Sequence, residues 1–156
     1  MSFKDSITKT TELSYFKGAI PVNYQYTYGI AGDKYFRAIL EKGEFVASVC
    51  QSCGAKMIYP LIYCEECYSE IQTYESVGSE GELYSYTACC SDHEGHSHQE
   101  PHMIGLIKFK GVNGGVIHRL NIPPEDLEMG MKVVAKFRPL KDRTGNIEDL
   151  ICFEKG

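Results

Sequence analysis

No window of the chain approaches the roughly 20 apolar residues needed to cross a bilayer, and the start, MSFKDSITKTTE, lacks the apolar core of an export signal. The expectation is a soluble, unexported, cytoplasmic protein. Positive charge is scarce where a nucleic-acid finger would need it: between residues 43 and 76, Lys56 stands alone against five glutamates. Affinity for a phosphate backbone comes from Lys and Arg displacing counterions, so this scarcity and a net charge of −5 argue against a generic polyanion binder. No repeat of about 20 to 50 residues is visible beyond two short cysteine motifs, which argues against a solenoid or propeller.

Cysteine, by contrast, is plentiful and concentrated. Four of the seven cysteines lie in CQSCGAKMIYPLIYCEEC, residues 50–67, where two Cys-x-x-Cys pairs flank ten residues of low charge. Outside a secreted context such pairs read as metal ligands before disulfides. A thioredoxin-like redox site would need one pair opening a helix after a strand, and the flanking pattern supplies none. The spacing is that of a rubredoxin-like zinc ribbon, in which each pair sets two thiolates on a knuckle and the knuckles together enclose the ion. Cys50, Cys53, Cys64 and Cys67 are therefore the expected ligands of one structural zinc ion. Four thiolates leave no open position for a substrate, so the site reads as a staple.

Ahead of the cysteines the chain is aromatic: residues 12–36 hold seven of the 18 aromatics. In NYQYTYG an extended backbone would set Tyr24, Tyr26 and Tyr28 on one side. That side is either a partner surface or packing for the protein's own core, and the pattern alone leaves both open. GDKYFRAILEKG reads as a helix with Asp33 as N-cap, Tyr35, Phe36, Ile39 and Leu40 on one face, and Gly43 as the stop. EFVASV is a short strand.

From Glu82 onward five runs rich in β-branched and aromatic residues suit a small barrel. They are ELYSYTACC, MIGLIKFKG, GGVIHRLNI, GMKVVAKFRPL and IEDLICFEKG. In the fourth, Val133, Ala135 and Phe137 alternate with Lys132, Val134, Lys136 and Arg138, the pattern of a half-buried strand. PPEDLEMG reads as one helical turn, and KDRTGN as a turn or short loop. The fold class is thus mainly β, in three parts: an N-terminal tail and helical docking segment (1–42), a zinc ribbon (43–76) and a five-stranded OB-fold barrel (77–156).

Three remaining clusters invite functional readings. CCSDHEGHSHQEPH gathers Cys89, Cys90, His93, His96, His98 and His102 in a presumed loop, either a second metal site or a solvated, partner-contacting loop. A catalytic cysteine activated by His118 or a loop histidine is a further option, weakened because Cys90 and Cys152 fall in strands, where unpaired cysteines tend to be buried and inert. Lys132, Lys136, Arg138, Lys141 and Arg143 form the one positive cluster, suited to coenzyme A phosphates, an acidic partner, single-stranded nucleic acid or a solvated strand edge.

YTYGIAGDKYFRAILEKGEF, the cysteine segment, GSEGELYSYT and LNIPPEDLEMGMKVVAKF, taken in this order, resemble a family of small proteins with N-terminal helices, a rubredoxin-like zinc ribbon and a C-terminal OB-fold. Such proteins are partners of thiolases and other acyl-CoA enzymes, and one serves the benzoylsuccinyl-CoA thiolase of anaerobic toluene degradation. The resemblance spans roughly residues 12–155 and implies a zinc-containing accessory subunit with no catalytic residues of its own. A thiolase-like chain would supply the chemistry, with coenzyme A thioester shared between the two. The alternatives are a single-stranded nucleic-acid-binding module, or an accessory subunit of an acyl-CoA hydratase or aldolase.

Overall fold

The five barrel runs become five strands of one sheet, and the ribbon supplies most of a second. A computed structural model describes residues 26–91, 94 and 96–156. Tyr24, one of the three tyrosines expected to dock, and His93 of the histidine tract lie outside the described residues.

The helix α1 runs Gly29–Lys42. It starts five residues earlier than a helix capped by Asp33 would, with Tyr28 in the N-cap position. Asp33 instead sits inside the helix, where its carboxylate accepts from Arg37 Nε at 2.8 Å, one turn on. Ala31, Tyr35, Ala38 and Ile39 are its buried residues, at the spacing of one helical face. Gly43 ends it in the left-handed conformation, φ 68°, its N–H donating to the carbonyls of Ala38 and Ile39.

The first sheet is built from β1 (Phe45–Val49), β2 (Lys56–Ile58), β3 (Thr73–Gly78) and the two-residue β6 (Asn113–Gly114), in the order β3-β1-β2-β6. β1 pairs antiparallel with both β2 and β3, while β2 and β6 are parallel. The last pairing joins ribbon to barrel through the backbone. Gly114 makes it feasible, because at φ 86° a Cβ would collide with the carbonyl oxygen of Ile58.

The second sheet contains β4 (Glu80–Ser91), β5 (Ser97–Lys108), β7 (Val116–Arg119), β8 (Lys132–Phe137) and β9 (Leu150–Lys155), in the order β7-β5-β4-β8-β9. A register shift between Leu83 and Ser85 lets β4 bend, so that Glu80–Glu82 pair with β8 and the strand continues along β5. An isolated parallel bridge, Leu120 to Phe153, joins the two outer strands and closes the barrel. The fold is mainly β, with an OB-fold domain. Pro124–Asp126 forms the expected single helical turn, of 3-10 type.

One apolar core fills the barrel and extends under α1. Leu83, Ile107, Val116, Val133 and Phe153 meet Phe45, Tyr35 and Ile39 there. The Phe45 ring lies 5.3 Å from Phe109 and 6.0 Å from Phe153. A smaller cluster of Cys50, Met57, Cys64 and Ile71 forms the ribbon's own interior.

Two expectations give way here. The presumed histidine loop is largely strand, since β4 and β5 form one long hairpin in which Cys89 opposes His102 and Ser91 opposes Ser97. Cys90, expected to be buried, is exposed, because the hairpin projects beyond the core. Cys152 is buried, as its strand position implied.

Candidate metal centre and docking face

The two Cys-x-x-Cys turns repeat one backbone pattern. Cys50 N–H donates to Ala55 O and Gly54 N–H to Cys50 O; in the second turn Cys64 N–H donates to Ser69 O and Tyr68 N–H to Cys64 O, all at 2.8–2.9 Å. Each turn therefore needs a left-handed residue at the same place, Gly54 at φ 77° in one and Tyr68 at φ 59° in the other.

The turns face each other and bring four sulfurs together. Cys50 Sγ lies 3.5 Å from Cys67 Sγ and Cys53 Sγ 3.6 Å from Cys64 Sγ, with all four atoms within 4.8 Å of one another. A tetrahedron with Zn–S bonds of about 2.3 Å has sulfur–sulfur edges of about 3.8 Å, so the donor set fits a four-coordinate ion. Cys50 and Cys64 point inward and are buried, while Cys53 and Cys67 form the exposed side.

Crowding splits the titration of these thiols. Hydrogen bonds from the Ser69 hydroxyl and N–H hold Cys67 down to about 6. The Ala55 N–H works downward on Cys53, yet the neighbouring sulfurs of Cys64 and Cys50 push it up to about 12. Four thiolates cannot coexist at this spacing without a cation between them. Among the described residues no other group of three or more His, Cys, Asp or Glu side chains converges in this way.

After β2, residues 59–63 form a loop held from below. Ser48, fully buried, accepts from Leu61 N–H through its hydroxyl at 3.2 Å, and Ile71 N–H donates to Ile62 O at 2.8 Å. Tyr74 donates its hydroxyl to Leu61 O at 3.4 Å. The loop thereby presents Tyr59, Ile62 and Tyr63, all exposed, on a fixed backbone. The sequence signalled this only through the low charge of the segment.

Helix α1 runs beside that loop, with an apolar groove on each flank. One groove, about 370 Å³, is lined by Tyr28, Ala31, Tyr35, Phe36, Tyr59 and Ile147. The other, of similar volume, lies between Ile30 and Lys34 of the helix and Ile62, Tyr63, Ile71 and Tyr74 of the ribbon. Ile30, 69% exposed, stands at the edge of this second groove. Of the tyrosines expected to dock, Tyr26 and Tyr28 are 82% and 62% exposed. They do not share the expected extended side: Tyr28 has φ −87° and ψ 3°, and its ring folds back to 5.4 Å from Phe36.

The basic cluster disperses on folding. Lys136 pairs with Glu154 at 2.7 Å, and Arg138 approaches Glu148 at 3.9 Å. Arg143 turns inward to bond the carbonyls of Arg138, Ile39 and Leu40. The barrel aromatics on which a single-strand-binding module would stack bases are spent similarly, since Phe109 and Phe153 are buried and Phe137 packs on the core. Tyr84 and Tyr86 remain outside, with Lys108 Nζ 3.9 Å above the Tyr84 ring.

His118 is half-buried on β7 and makes no hydrogen bond to a cysteine among the described residues; burial pushes its pKa down, and its Nδ1 is buried without a partner. The His98 and His102 rings lie with centroids 4.5 Å apart at a tilt of 52°, and His102 Nδ1 lies 3.1 Å from Arg119 Nη2. A guanidinium only donates, so that contact makes Nδ1 the acceptor. No helix among the described residues is long and apolar enough to cross a membrane.

Residues 74–138 match the sequence family described as ChsH2, C-terminal OB-fold domain. A DUF35 domain-containing scaffold protein of Methanocaldococcus jannaschii is 24% identical over 111 residues, which cover 69% of this chain and 77% of that protein. A DUF35-family protein of unknown function from Sulfolobus solfataricus has a similar crystal structure, with 25% identity, 82% of this chain and 87% of that one covered, and a TM-score of 0.65. A structure described as the Ltp2-ChsH2(DUF35) aldolase shares the fold at 19% identity, covering 84% of this chain and 98% of that one, with a TM-score of 0.59.

Proposed function

We propose that this chain is a non-catalytic, zinc-containing accessory subunit of a thiolase-type acyl-CoA enzyme. The observation that carries the reading is the apolar face shared by α1 and the ribbon loop. Side chains as large as Ile30, Ile62 and Tyr63 lie exposed together on a backbone fixed by hydrogen bonds, an arrangement suited to a protein partner. Likeness to a scaffold protein, and to the fold of a chain in an aldolase complex, supports the same reading.

In this proposal residues 1–42 dock, residues 43–76 form the ribbon and residues 77–156 form the barrel. Cys50, Cys53, Cys64 and Cys67 would hold one zinc ion, whose chemistry is structural: it neutralises the crowded thiolates and folds a unit whose own interior is only four buried side chains. The partner supplies nucleophile and base. The barrel helps to close the acyl-CoA passage, excluding water that would hydrolyse an acyl-enzyme.

The test is a gentle pull-down of the tagged protein from its own host, with mass spectrometry of what stays bound. A thiolase-like chain in near-equal amount is the expected result. Recovery of nucleic acid, or of nothing, overturns it. A second reading, with an aldolase in the partner's place, draws on the structure described as an Ltp2-ChsH2(DUF35) aldolase, one chain of which has a similar fold, and the same experiment separates the two.

A further inference from the structure

The groove between α1 and the ribbon is apolar within and acidic around its ribbon side. Tyr63 and Glu70 bridge across the base of the second knuckle, which carries Glu65 and Glu66 between them in sequence. All three glutamates are exposed and make no ion pair among the described residues. Two other lysines of the helix and ribbon are already engaged: Lys56 pairs with Glu75 at 2.6 Å and Lys42 with Glu44 at 3.5 Å. Among the described residues, Lys34 is the single basic side chain lining the groove.

We propose that this groove seats a partner segment whose apolar side chains are flanked by lysine or arginine. The inference rests on the accessory-subunit reading and adds the chemistry of the surface recognised. Apolar side chains filling the space beside Ile30, Ile62 and Tyr63 supply affinity, while basic residues opposite Glu65, Glu66 and Glu70 set the encounter rate and the register. A second copy of this chain is a poor occupant. A symmetric contact through the groove would bring one glutamate cluster up to its twin, and like charges facing across an interface repel.

The experiment uses the full chain and the thiolase-like subunit recovered with it, and measures Kd and association rate at low and high salt. The triple variant Glu65→Gln, Glu66→Gln, Glu70→Gln should bind about tenfold more weakly at low salt, chiefly through slower association, and nearly as well as wild type at high salt. Ile62→Ser with Tyr63→Ser should weaken binding about thirtyfold or more at both salts. All five side chains are exposed, so unchanged metal content and circular dichroism would show the variants folded. A triple variant that binds as tightly as wild type at low salt, or a double variant with unaltered Kd, overturns this inference alone. Absence of any complex with the wild-type chain overturns the accessory reading and the inference with it.

Discussion

Arg143 Nη1 donates to the carbonyl oxygen of Ile39 at 3.1 Å, across 104 residues of chain, and so caps the C-terminus of α1 from the barrel's last connection. The same guanidinium reaches Leu40 O at 3.4 Å and, through Nε, Arg138 O at 2.7 Å. A positive charge at this end of a helix also complements its dipole. Arg143→Ala should therefore destabilise the protein by about 2–3 kcal/mol, the scale of hydrogen bonds to charged groups. Urea unfolding measures this, and a loss below about 0.5 kcal/mol, typical of a neutral surface change, would contradict the capping role.

Metal analysis of the purified chain should find one zinc per protein. Cys53→Ser removes a sulfur from the exposed side of the cluster and should yield a zinc-free, aggregation-prone product, because metal binding at such sites contributes on the order of 10 kcal/mol to folding. A soluble, well-folded, metal-free variant would refute the staple.

Tyr68 holds the left-handed position that Gly54 fills in the other knuckle, and its side chain is 83% exposed. Tyr68→Gly should relieve about 1 kcal/mol of backbone strain at little cost in burial, and Gly54→Ala should cost about as much. Thermal unfolding of the two zinc-loaded variants gives the comparison, with opposite shifts expected.

Gly114→Ala should loosen the ribbon from the barrel, since the added methyl meets the Ile58 carbonyl and the parallel pairing of β2 with β6 must open. Hydrogen exchange should accelerate at residues 56–58 while the barrel strands stay protected. Equal protection in variant and wild type would show the pairing to be dispensable.

Asp149 is fully buried, and burial alone would raise its pKa. The N–H groups of Thr144, Gly145 and Asn146, at 2.7–3.4 Å, outweigh that and hold it below the usual carboxylate range. A depressed folded pKa stabilises the protein above the unfolded value near 4, and the contribution is lost as pH falls through the folded value. The stability gap between wild type and Asp149→Asn should thus be widest near neutrality and narrow in acid. A gap that stays constant with pH would exclude the carboxylate charge as its source.

How much was legible follows the range of the interactions concerned. The cysteine spacing, the alternation of Val133, Ala135 and Phe137, and the stop at Gly43 are local patterns, and the structure reproduces each. Asp33 was misread as a cap because an aspartate one turn before an arginine serves a helix interior equally well. The histidine tract looked like a loop because polar residues signal exposure without separating a loop from a projecting hairpin. Tyr59, Ile62 and Tyr63 were unreadable as surface, since their exposure depends on Ser48 and Tyr74 holding the loop outward.

By itself, then, the sequence determined most of the elements and the gathering of four thiols able to hold a metal ion, because backbone periodicity and knuckle geometry are set by neighbours within a few residues. Tertiary structure decided which charges are spent and which apolar side chains face outward. Arg143 became a helix cap while Glu65, Glu66 and Glu70 have no ion-pair partner among the described residues, and only the packing of α1 against a ribbon further along the chain placed an apolar groove beside them.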